Sequence, residues 1–162
     1  MDYPACIYGP PEMLFKRKQA AEKALRPTVE VVAAVILDDG KILATQRGYG
    51  RWKGWWEFPG GKMQEGESRE EALLRELKEE MDAAIVIDEY YTTVEYAYPD
   101  FLLTMHCYLC HLADGYFKLK EHQDARWLAP DQFDSVQWLP ADTGLLRQLS
   151  TRLTPGCQPG ED

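Results

Sequence analysis

The densest chemistry in the 162-residue chain lies in the run Arg75-Glu76-Leu77-Lys78-Glu79-Glu80. Wound into a helix, Glu76, Glu79 and Glu80 share an arc about 100° wide, beside the apolar residues rather than opposite them. Carboxylates spaced i, i+3 and i+4 repel one another and raise each other's pKa unless a cation lies between them. Hard oxygen ligands at that spacing suit Mg²⁺ or Mn²⁺, with water and phosphate oxygens completing an octahedron. A charge run on a helix is usually a plain solvated face. Two neighbours argue otherwise. Glu67 stands at the mouth of the helix, where it can join the same shell. Gly60-Gly61 offers backbone groups free of side chains, and paired glycines reach backbone angles closed to other residues. Arg75 adjoins Glu76 and precedes Glu79 by four, so it can orient a carboxylate or offset surplus charge.

These groups need a frame. Val29 to Leu37 (VEVVAAVIL) is β-branched and apolar on both faces, as a central strand would be. Asp38-Asp39-Gly40 turns it into a second strand, Lys41 to Gln46. A Gly- and Trp-rich loop, Arg47 to Trp56, leads into Glu57-Phe58-Pro59-Gly60-Gly61-Lys62. Ser68 with Glu71 reads as a capping box, and Leu73, Leu74, Leu77 and Met81 repeat at helical spacing, which predicts a helix from about Arg69 to Met81. Further strands are expected at Ile85 to Tyr98, Leu102 to Leu112 and Ala125 to Leu128, and a last helix at Thr143 to Thr151. Strands mixed with two or three helices predict an α/β sandwich whose strand order the pattern does not fix. A stretch from Glu12 to Arg26 is compatible with a helix after the prolines. The division expected is an N-terminal extension over 1–27, a single domain over 28–152 and a tail over 153–162.

Composition narrows the function. The net charge of -9 excludes the basic face that duplex nucleic acid demands, and an acidic protein that handles polyphosphate must recruit cations. No apolar run approaches the roughly 20 residues of a membrane helix and no signal peptide is visible, so the expected location is the cytoplasm. Cys6, Cys107, Cys110 and Cys157 are too sparse for a disulfide scaffold. Cys107-Tyr108-Leu109-Cys110-His111 matches a haem attachment pattern. In a strand, however, residues three apart point to opposite faces, so these two are expected to be buried thiols.

Gly61, five residues, Glu67, seven residues and then Arg75-Glu76-Leu77-Lys78-Glu79-Glu80 resembles the Nudix box position by position through Glu80. Asp82 departs from it, standing where the family has the glycine that closes the helix. Aspartate tolerates left-handed angles better than most residues, so a slightly strained helix end is expected. Trp56 to Lys62 and Tyr96-Ala97-Tyr98-Pro99-Asp100 look like the MutT subgroup, and the resemblance runs from about Val29 to Leu149.

The resemblance implies an α/β/α sandwich with a mixed β-sheet. It implies Mg²⁺-dependent hydrolysis of (deoxy)nucleoside triphosphates, oxidised ones such as 8-oxo-dGTP among them, by water attack at the β-phosphorus. The products would be a monophosphate and pyrophosphate, in a role protecting DNA from damaged precursors. Mn²⁺ would substitute. The Gly60 carbonyl, Glu76, Glu79 and Glu80 would ligate the metal with Glu67 in support, and Glu121, on the loop before the Ala125 strand, would be another acidic ligand. The general base would be Glu76, oriented by Arg75, or Glu121. Lys62 and Arg47 would meet phosphate, and Phe58 would floor the nucleotide pocket.

Trp138-Leu139-Pro140-Ala141-Asp142 resembles the stretch that contacts the base in MutT-like proteins. An ionised Asp142 only accepts hydrogen bonds, which suits the amine of cytosine and a CTP or modified-dCTP pyrophosphohydrolase, whereas a protonated one would serve oxidised guanine. Asp142 is also a candidate N-cap of the last helix. A silent nucleotide-binding module is the rival reading, opposed by so many retained, mutually repelling carboxylates. The protein would be a monomer or a homodimer. His122, beside Glu121, is assigned no role.

Overall fold

A computed structural model describes residues 26–153. The expected helix over 12–26 and the tail therefore fall almost wholly outside the described residues. Seven strands and two α-helices follow in order: β1 (Thr28–Asp38), β2 (Lys41–Gln46), β3 (Trp56–Glu57), β4 (Gly60–Lys62), α1 (Arg69–Met81), β5 (Ile85–Ala97), β6 (Leu102–Leu112), β7 (Asp124–Leu128) and α2 (Pro140–Leu153). A 3-10 turn at Pro130–Ser135 precedes α2.

The sheet is mixed and runs β3-β2-β1-β6-β5, with β4 added to β1 and β7 added to β2. Only β1 and β6 pair in parallel, from Thr28↔Leu102 to Ile36↔Cys110; the other pairs are antiparallel. A central strand must satisfy apolar packing on both faces, and β1 does so by alternation. Ala33 and Val35 pack with Phe58, Trp138, Leu145 and Leu149 on the α2 side. Val32, Ala34 and Ile36 pack with Leu73, Leu77 and Met81 on the α1 side. The expected three-layer sandwich is the architecture found.

Helix α1 matches its predicted bounds. The Ser68 hydroxyl accepts the Glu71 N–H at 3.1 Å, and Asp82 ends the helix in the left-handed region at φ 48° and ψ 32°. There its N–H reaches the carbonyls of Leu77 and Lys78, while its carboxylate takes Lys78 Nζ at 2.7 Å. Helix α2 begins three residues earlier than the pattern predicted, because Pro140 suits the first helical turn, where no N–H is needed. Cys107 and Cys110 lie in the two opposite core layers, as their spacing in a strand demands. Burial raises both thiols, Cys110 to about 12, so they stay protonated and inert.

Candidate active site

One cavity of about 380 Å³ runs from the C-terminal half of α1 to the start of α2. Glu76, Glu80 and Glu121 line one end; Phe58, Tyr98 and Asp142 line the other. Arg47, Glu57 and His122 line it as well, and Glu57 is near enough to both groups for its charge to be felt by Glu80 and by Asp142.

The paired glycines are not in left-handed conformations, contrary to expectation. They are needed for close approach. A Cβ on Gly60 would come within 2.0 Å of the Val32 carbonyl oxygen, and one on Gly61 within 2.4 Å of the Glu76 carboxyl. Strand β4 thus lies directly under the α1 carboxylate and against the middle of β1, with the Gly61 and Gly60 backbones opposite Val32 and Ala33.

Arg75 organises the carboxylates. Its Nε and Nη2 donate to Glu67 at 2.7 and 2.8 Å, Nη1 donates to Glu76 at 2.9 Å and to Glu79 at 3.2 Å, and Nη2 also reaches the Lys62 carbonyl at 3.0 Å. The guanidinium holds Glu67 below the usual carboxylate range. Glu67 and Glu79 therefore lie on the Arg75 side of the helix and outside the cavity lining, whereas Glu76 and Glu80 face in. Burial, then the charges of Glu76, Glu121 and Glu57, push Glu80 up to about 8. Among the described residues no three His, Cys, Asp or Glu side chains are gathered closely enough to hold an ion as they stand, and Arg75 holds part of the acidic set. Yet carboxyls pressed together until one resists ionisation form a donor set that a divalent cation would relieve. Glu121 is exposed and accepts the Tyr49 hydroxyl at 3.2 Å.

Among the described residues, Lys62 lines the cavity and makes no ion pair, as a phosphate partner would. Arg47 lines the cavity and gives Nε and Nη2 to Glu57 at 3.3 and 3.0 Å, so the pair leaves Nη1 unused. Phe58 is buried against Trp138, its ring centroid 5.0 Å away and nearly parallel. Asp142 is not the N-cap: α2 starts at Pro140, and the Asp142 N–H bonds to the Leu139 carbonyl at 3.0 Å. The residue is 4% exposed, and its carboxyl takes no side-chain hydrogen bond from the described residues. Burial, reinforced by Glu57 and opposed by Arg47, raises it well above the ordinary carboxylate value, which favours the neutral acid over the ionised acceptor.

Residues 27–149 match the family model described as NUDIX domain. The chain belongs to the Nudix family. It is 37% identical over 121 residues to the CTP pyrophosphohydrolase of Escherichia coli strain K12, a match covering 73% of this chain and 88% of that protein. It is 33% identical over 123 residues to the 8-oxo-dGTP diphosphatase of Haemophilus influenzae, covering 75% and 90%. Among solved structures, the E. coli ORF135 protein superposes with a TM-score of 0.69 at 33% identity, over 85% of this chain and 98% of that one. The protein is a Nudix hydrolase of the MutT-like kind. No helix among the described residues is long and apolar enough to cross a membrane.

Three side chains of this Nudix site escaped the sequence reading. Glu57 pairs with Arg47 only because β2 and β3 lie side by side, Thr45 opposite Glu57. Tyr98, named only within the MutT-like run, is buried, its hydroxyl accepts the Ala141 N–H at 3.2 Å and its ring lines the cavity beside Phe101, 4.9 Å away and stacked. His122 is drawn in by the loop that carries Glu121, the one signal that pointed to it.

Proposed function

We propose that this protein hydrolyses (deoxy)nucleoside triphosphates, oxidised or modified ones such as 8-oxo-dGTP above all, to monophosphate and pyrophosphate, using Mg²⁺ and water attack at the β-phosphorus. The supporting observation is a single cavity that joins an acidic, cation-seeking end to an aromatic end with one buried hydrogen-bonding group. The Gly60 carbonyl, Glu76, Glu80 and Glu121 are the donors for Mg²⁺ or Mn²⁺, with Glu79 in reach once it leaves Arg75 and Glu67 in support. A bound divalent ion neutralises phosphate oxygens and acidifies a water. Glu76, fixed by Arg75, would accept the proton of the attacking water; Glu121 is the rival base. Lys62 and the free Nη1 of Arg47 bind phosphate oxygens.

A neutral Asp142 places one donor beside one acceptor. Oxidised guanine presents the complement, O6 and an N7–H that unmodified guanine lacks. Cytosine also does so, through N3 and its amine, and the CTP pyrophosphohydrolase relative favours that second reading. The physiological role would be clearing such nucleotides from the cytoplasmic pool before they enter DNA.

The test is pyrophosphate and monophosphate release across dNTPs, NTPs, 8-oxo-dGTP, 5-hydroxy-dCTP and nucleotide sugars, with Mg²⁺ and with EDTA. Metal-dependent release of pyrophosphate with a preference for 8-oxo-dGTP or a cytosine nucleotide is expected. No hydrolysis of any member would leave a nucleotide-binding module instead.

A further inference from the structure

His122 lines the cavity with a side-chain atom that finds no partner among the described residues. Nδ1 is buried without a hydrogen bond, and Nε2 ends 3.9 Å from Glu57 Oε1, beyond hydrogen-bond reach. The side chain is only 6% exposed, and it is the Nε2 edge, not the enclosed Nδ1, that faces Glu57 across a gap too long for a direct hydrogen bond and wide enough for one intervening oxygen. The loop holds it in place. The Gln123 N–H donates to the Gln46 carbonyl at 2.9 Å, and the Glu121 carbonyl sits so close to Gly48 that a Cβ there would come within 2.2 Å.

We propose that His122 and Glu57 together grip a sugar hydroxyl of the bound nucleotide, Nε2–H donating to the hydroxyl oxygen and the hydroxyl donating to Glu57 Oε1. The inference rests on the nucleotide reading above and extends it to the sugar. An oxygen about 2.8 Å from both atoms would see them roughly 90° apart, within the range a bent hydroxyl accepts. The Nε2–H tautomer is the one suited to a neighbouring carboxylate, which only accepts. Each Glu57 oxygen takes one bond from Arg47 and keeps lone-pair capacity for another. A hydroxyl both donates and accepts, as this pair requires; a phosphate oxygen cannot donate and is repelled by the carboxylate. Position selects the sugar too. The charge of Glu57 acts both on Glu80 at the acidic end and on Asp142 at the base floor, and His122 is beside it, so the pair stands where a nucleotide presents its sugar between phosphate and base.

The experiment compares kcat/KM for matched ribo-, deoxy- and 2′,3′-dideoxynucleoside triphosphates of cytosine and of 8-oxoguanine, in the wild type, His122→Leu and His122→Gln. The wild type should lose about fivefold to thirtyfold at the step that removes the gripped hydroxyl. A loss from ribo to deoxy identifies the 2′-hydroxyl, and a loss from deoxy to dideoxy the 3′-hydroxyl. His122→Leu should flatten that step, and His122→Gln, whose amide nitrogen reaches the Nε2 position, should restore part of it. If His122→Leu does not fold, His122→Asn, whose amide stops short of that position, replaces it. A wild type indifferent to both hydroxyls overturns the proposal, as does an equal fall on all members or an unchanged step in the variants. If the wild type cleaves none of the six while remaining folded, the nucleotide reading fails and carries this one with it.

Discussion

Replacing Asp142 with asparagine separates the two ways in which a buried acid can read a base. Asp142 is a buried residue that lines the cavity with Phe58 and Tyr98, no hydrogen bond to its carboxyl is made by the described residues, and Arg47 is already engaged by Glu57. Its folded-state pKa is raised by burial, so the native protein keeps a proton that the unfolded chain releases above pH 4. The stability this group contributes is therefore fully present below its unfolded pKa and is lost as pH rises toward the folded one. Within that window a single proton changes stability by up to about 1.4 kcal/mol per pH unit. Asparagine has nothing to release, so Asp142→Asn should gain on the wild type at each step from pH 5 upward, by about 3–6 °C in Tm per unit while the window lasts. Matched urea or thermal melts at pH 5, 6, 7 and 8 measure the difference, in which the other titrating groups largely cancel. Because asparagine also offers one donor and one acceptor, hydrolysis of the preferred nucleotide should stay within about tenfold of wild type. A stability difference flat across pH, or a collapse of turnover with the fold intact, would refute the neutral acid and restore the ionised acceptor.

Glu76→Gln should lower kcat by about 100-fold or more with an unchanged circular dichroism spectrum, since it removes an ionised donor while keeping shape. Gly61→Ala should cut turnover as well, because the added Cβ displaces the Glu76 carboxyl; a fully active variant would show that this close approach does not matter. Asp82→Gly should stabilise the protein by about 0.5–1 kcal/mol in urea melts, as glycine relieves a left-handed residue and the Lys78 pair it loses is exposed. EDTA should abolish hydrolysis, and added Mg²⁺ should raise Tm with increasing concentration, as binding to the native state alone requires.

How far the sequence carried depended on the range of the interaction that decided each feature. Helix α1 was legible to the residue because Ser68, the leucine spacing and Asp82 are local signals. The parallel β1–β6 pair was not, since no local pattern chooses between partners so far apart in the chain. The acidic cluster on α1 could be read from helical spacing, but which of its carboxylates face the cavity depended on where the Arg75 fork points. Gly60 and Gly61 were correctly singled out for the wrong reason: the constraint comes from Val32 and Glu76, which only the fold brings near. Asp142 lost its capping role to Pro140, a residue whose fitness for a first helical turn was available in the sequence.

The pairing of β1 with β6 also governs how the molecule can be assembled during synthesis. Partners in that pair are 74 positions apart, and closing such a loop costs on the order of 4 kcal/mol of chain entropy before any contact offsets it. Strand β4 and the α1 carboxylates emerge from the ribosome well before β6, yet β1, the strand on which β4 rests, is bare along that edge until Leu102 to Cys110 arrive. A nascent chain stalled before that point would expose a long apolar edge strand, the kind of surface that recruits foreign strands. The same parallel seam that seats α1 therefore leaves β1 an open apolar edge until β6 has been made.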